Sequence, residues 1–109
     1  MSQTALSRDV LEEIIERLAR GLRPERIYLF GSQATGQNKP GSDVDVLVVL
    51  PESDLPRHKR EAISYDLLWG LTTPVDVIVL TREEFQNSCR VKTSLAATVN
   101  SKGRVVYDG

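Results

Sequence analysis

Cysteine, histidine, methionine and tryptophan occur once each in these 109 residues, and each scarcity closes off a class of chemistry. A single Cys89 leaves no partner for an internal disulfide and no thiolate set for a zinc cluster. A single His58 excludes a histidine-rich metal site and disfavours a Ser-His-Asp triad. An excess of one charge is also missing. The formal net charge of -1 gives no footprint for following a nucleic-acid backbone over many phosphates. No apolar run is long enough to span a bilayer, and nothing reads as a secretory leader. The default setting is therefore soluble, reducing and cytoplasmic. With 40% hydrophobic residues there is material for one core and not for two, so residues 1–109 read as a single domain.

Within that domain the apolar residues mark out the elements. Val10, Leu11, Ile14, Ile15 and Leu18 recur at helical spacing, with Glu13/Arg17 and Glu16/Arg20 one turn apart. Ser7 is placed to cap this helix, and Gly21 and Pro24 to end it. Ile27 to Phe30 is a short buried strand, Gln33 to Ser42 a loop, and Asp43 to Leu50 a second strand. Pro56 to Trp69 reads as a helix with Ile63, Leu67, Leu68 and Trp69 on its apolar face. Val75 to Leu80 is a third strand, after which Thr81 and Glu84 have capping-box spacing. A helix then starts near Arg82, breaks around Cys89 and resumes through Val91, Leu95 and Val99 before a last strand, Val105 to Tyr107. The connection between the first two strands is too short for a parallel crossover, which predicts an antiparallel pair within a small mixed β-sheet flanked by helices, an α/β (α+β) fold.

Three acids break the apolar strands. Asp43-Val44-Asp45 opens the second strand, and Asp76 sits within the third. Buried carboxylates without partners are costly, so they bind a cation or take up a proton. Alternation puts Asp43 and Asp45 on one face and Val44 and Val46 on the other. With Asp76 beside them, three carboxylates suit a hard, oxygen-preferring ion, magnesium or manganese. Gly31-Ser32 ends the first strand, ten residues before Asp43. It offers close backbone approach, an amide and a hydroxyl to a phosphate. In-line phosphoryl or nucleotidyl transfer is the chemistry such a set supports. The acidic pair precedes its apolar strand, unlike that of haloacid-dehalogenase phosphatases. The Gly31 turn lacks the Gly-Lys-Ser/Thr of a P-loop.

Gly-Ser, a ten-residue spacer, Asp-x-Asp and a third acid on a later strand resemble the signature of the minimal nucleotidyltransferase (MNT) domains of the DNA polymerase beta superfamily. The resemblance covers nearly the whole chain and implies the polymerase-beta-like nucleotidyltransferase fold. It implies that Gly31 and Ser32 hold the triphosphate of ATP, that Asp43, Asp45 and Asp76 bind magnesium, and that Asp76 helps deprotonate the acceptor hydroxyl. It further implies an antitoxin, cytoplasmic, which attaches AMP to a tyrosine of a HEPN-type ribonuclease toxin. One departure is visible: many members carry an arginine in the turn where this chain has Gln33-Ala34-Thr35-Gly36, with Lys39 the substitute considered. That departure supports an alternative, a non-catalytic module that silences its partner by occlusion. A small-molecule nucleotidyltransferase subunit is the third reading. Oligomeric state stays open.

Other residues carry plainer expectations. The run Arg57-His58-Lys59-Arg60 reads as a solvated first helical turn, although cations there oppose the helix dipole. Cys89 and Trp69 read as core or half-buried packing residues.

Overall fold

A computed structural model of the chain describes residues 8–31 and 44–109. The described elements are α1 (Arg8–Leu22), β1 (Arg26–Phe30), β2 (Val44–Leu50), α2 (Arg57–Leu67), β3 (Val75–Thr81), α3 (Arg82–Cys89), α4 (Leu95–Lys102) and β4 (Arg104–Asp108). Ser7 and the segment 33–42 fall outside the described residues. The four strands form one sheet in the order β3-β2-β1-β4. β1 pairs antiparallel with β2 and β4, while β2 pairs in parallel with β3. The sheet is thus mixed, as the short connection implied.

Strand β2 is covered on both faces, which is why it reads as a nearly unbroken apolar run. Val44, Val46, Val48 and Leu50 pack with Ile14 and Leu18 of α1, Ile27 and Leu29 of β1, and Val77 and Val79 of β3. Leu47 and Val49 face the other way, onto Tyr28, Phe85 of α3, and Ala96 and Val99 of α4. Each such buried side chain stabilises the fold by about 1.5–3 kcal/mol relative to exposure. The alternation therefore fixes the register of the acids as firmly as that of the core.

Helix α1 carries the two anticipated ion pairs, Glu13–Arg17 at 2.7 Å and Glu16–Arg20 at 3.0 Å. Its end differs from expectation. The helix runs through Gly21 to Leu22, and Arg23 takes the positive φ of 52° that follows it. Gly21 serves packing instead: a Cβ there would lie 2.5 Å from both methyls of Leu67, at the end of α2. The capping box at Thr81 is present, with the Thr81 hydroxyl accepting from Glu84 N–H at 3.2 Å and the Glu84 carboxylate accepting from Thr81 N–H at 2.9 Å. Ser94 caps α4 by accepting from Ala97 N–H at 3.0 Å.

Helix α2 departs most from the periodicity argument. It covers the free edge of β3, where the hydroxyl of Tyr65 accepts from Val77 N–H at 3.2 Å and Glu61 from Val79 N–H at 3.3 Å. Arg60 is not solvated with its neighbours. It is 5% exposed and donates to the carbonyls of Leu55 and Val79 and, through two nitrogens, to Glu84. The buried positions of α2 are Arg60 and Ser64, whereas Ile63 faces water and Trp69 is 85% exposed. The helix has ended at Leu67, so helical phase no longer governs Trp69.

Candidate active site

Antiparallel pairing brings the end of β1 beside the start of β2, and Phe30 is the direct partner of Asp45. Parallel pairing brings the start of β3 to the same place, and Asp45 is the direct partner of Asp76. Partners on neighbouring strands point to one face across a spacing of about 4.8 Å. The two carboxylates therefore share a face and an end of the sheet. Asp45 is half-buried and Asp76 exposed.

Gly31 completes this corner. Its φ of +76° lies in the left-handed region, and a Cβ built there would stand 2.6 Å from Oδ2 of Asp45. Only glycine allows both the turn and the approach of that carboxylate to the backbone. Of the residues singled out from sequence, Gly31, Asp45 and Asp76 come together here. Ser32 and Asp43 lie outside the described residues.

Like charges facing each other across adjacent strands destabilise a sheet. Among the described residues no cation forms an ion pair with Asp76. Two carboxylates so placed fit a small, hard cation that prefers oxygen. The described residues include no group of three or more His, Cys, Asp and Glu able to hold a metal. A third protein donor would come from Asp43, two residues along the strand from Asp45.

The strand bearing Asp76 is held from its outer side. Arg60 bonds the Val79 carbonyl at 2.9 Å and Glu84 at 2.8 Å, joining the edge of β3 to the first turn of α3. Hydrogen bonding from Arg60, then from the Thr81 amide, holds the Glu84 carboxyl down at about 2, well below its ordinary value. Local spacing could not disclose this link, because Arg60 and Glu84 are 24 residues apart.

A four-stranded mixed sheet between helices, with acids paired at one end beside a strand-end glycine, defines a nucleotidyltransferase fold. The family described as nucleotidyltransferase domain matches residues 11–101, and the chain belongs to it. The chain is a nucleotidyltransferase by family and fold. It is similar to a nucleotidyltransferase from Sulfolobus solfataricus, at 25% identity and a TM-score of 0.64, over 92% of this chain and 78% of that one. It is similar in fold to a toxin-antitoxin solved with AMP-PNP, at 23% identity and a TM-score of 0.65, over 90% and 73% of the two chains. A mutant toxin-antitoxin MntA-HpeT, bearing two aspartate-to-glutamate changes two positions apart, is similar at 20% identity and a TM-score of 0.61, over 90% and 72%. None of the curated proteins compared with the chain matches it. No helix among the described residues is long and apolar enough to cross a membrane.

Proposed function

We propose that this chain moves AMP from ATP onto a hydroxyl of a partner protein, a tyrosine of a HEPN-type ribonuclease toxin, and so acts as its antitoxin. The observation that carries the reading is the in-register pair Asp45 and Asp76 with Gly31 against the Asp45 carboxylate. The likeness to a toxin-antitoxin solved with AMP-PNP supports an adenine nucleotide and a toxin partner. The spacing of the altered aspartates in the second toxin-antitoxin matches that of Asp43 and Asp45.

The chemistry follows from the residues. The Gly31 backbone and Ser32 receive the triphosphate and set the α-phosphorus in front of the acids. Asp76 is the most open of the described carboxylates at the site and faces the incoming hydroxyl, whose proton one of its oxygens accepts. The acceptor oxygen bonds to the α-phosphorus as the α–β bridging bond breaks, and pyrophosphate departs with that bond's electrons. Magnesium or manganese held by Asp43, Asp45 and Asp76 would supply charge neutralisation at the phosphates and leaving group. The test is intact mass spectrometry of the chain with magnesium, ATP and the protein encoded by the neighbouring gene. A partner heavier by one or more AMP units, unchanged when Asp43→Asn replaces the wild type, supports transfer. A stable complex without added mass supports occlusion, the reading favoured by the missing turn arginine at Gln33 to Gly36.

A further inference from the structure

The outer face of α2 has no role in the fold that accounts for its composition. His58, Ala62, Tyr65 and Trp69 fall on one exposed stripe. At its end Trp69 is 85% exposed and Tyr65 47% exposed. Together with Leu71 and Val75 they line an open groove of about 440 Å³. Large aromatics are rarely left so bare, and Trp and Tyr dominate the residues that carry binding energy at interfaces.

This patch is rigid and joined to the active site. Arg17 donates to the carbonyls of Leu67 and Trp69, at 3.3 and 2.8 Å, and so pins the backbone beneath the indole. The Tyr65 hydroxyl accepts from the amide of Val77, the residue after Asp76. The Pro74 carbonyl accepts from Val44 N–H at 3.0 Å, tying the same loop to the start of β2. The groove therefore opens at the end of the sheet where Asp45 and Asp76 lie. Its other end is basic: His58 and Lys59 are exposed and form no ion pair among the described residues. The first turn of α2 contains no acid to offset them or the helix dipole.

We infer that this face of α2 docks the acceptor protein, with Trp69 entering an apolar socket and His58 and Lys59 facing carboxylates of that protein. The inference rests on the transfer reading above and names the surface that presents the acceptor to it. A single-stranded nucleic acid is a poorer fit, because stacking platforms need cations beside the aromatics. Here Asp66 is the exposed charge near Trp69, and the basic turn lies about 16 Å away along an eleven-residue helix.

Trp69 is the sole tryptophan, so 5-fluorotryptophan gives one ¹⁹F resonance that reports the patch. Titration with the protein encoded by the neighbouring gene should shift that resonance in the wild type and equally in Asp43→Asn. By calorimetry Trp69→Ala should weaken the complex at least about 30-fold, the loss typical of an anchor residue. Lys59→Glu should weaken it several-fold and flatten its salt dependence. Both side chains are exposed, so thermal midpoints should hold. Unchanged affinity in Trp69→Ala overturns the inference, as does failure of the wild type to bind. A dimer of this chain that Trp69→Ala dissolves, or an RNA that moves the ¹⁹F signal instead, also overturns it. A complex lost in Trp69→Ala but never modified by the wild type leaves the docking surface standing and removes the transfer reading.

Discussion

Replacing Gly31 by alanine, with Gly70 as its matched control, separates backbone strain from active-site geometry. Both glycines have positive φ, +76° and +93°, where a Cβ costs about 1–2 kcal/mol. At Gly70 that strain is the whole cost, because nothing lies within 4 Å of the added carbon. At Gly31 the carbon also meets Oδ2 of Asp45 at 2.6 Å. A real contact of that kind does not persist, so the carboxylate must leave its position beside Asp76. Both variants should lose on the order of 5–10 °C in thermal midpoint. Only Gly31→Ala should also lose magnesium-dependent ATP affinity, by at least about tenfold, which is 1.4 kcal/mol. Differential scanning fluorimetry reads the first quantity and calorimetry with Mg·ATP the second. Full nucleotide affinity in Gly31→Ala, or an equal loss in Gly70→Ala, would refute the geometry drawn for this corner.

Other consequences concern the support of that corner. Arg60→Met should cost about 2–4 kcal/mol in urea unfolding, since it strips partners from Leu55, Val79 and Glu84 at once. The Glu84 carboxyl titrates at about 2 in the fold, so its contribution is full above its ordinary value near 4.5 and is lost as pH falls through about 2. Because that side chain is 44% exposed, solvent screening limits the contribution to roughly 1–2 kcal/mol. Acid titration of Arg60→Met should lack this component. Thr81→Ala should cost about 1 kcal/mol through loss of the cap on α3. Asp76→Asn should abolish transfer while leaving chemical stability equal or slightly higher, because it removes a like charge beside Asp45.

The acids and their register were legible because strand alternation is strict: once Val44 and Val46 face the core, Asp45 must face away from it. The capping box at Thr81 was equally legible, being a local pattern of four residues. What escaped was non-local. Arg60 looked like one more surface cation until the edge of β3 and Glu84, 24 residues on, supplied its partners. Gly21 looked like a helix stop, and only the approach of Leu67 from α2 gives its reason. Trp69 looked like core because hydrophobicity alone says so, whereas its position beyond the end of α2 turns it to solvent.

The central claim is that Asp43, Asp45 and Asp76 transfer AMP to a partner protein, and intact mass of that partner tests it most directly. With magnesium and ATP, the account predicts added AMP units in the presence of the wild-type chain and none with Asp43→Asn or Asp76→Asn. A partner that gains AMP equally with the variants, or stays unmodified in a stable wild-type complex, would contradict it.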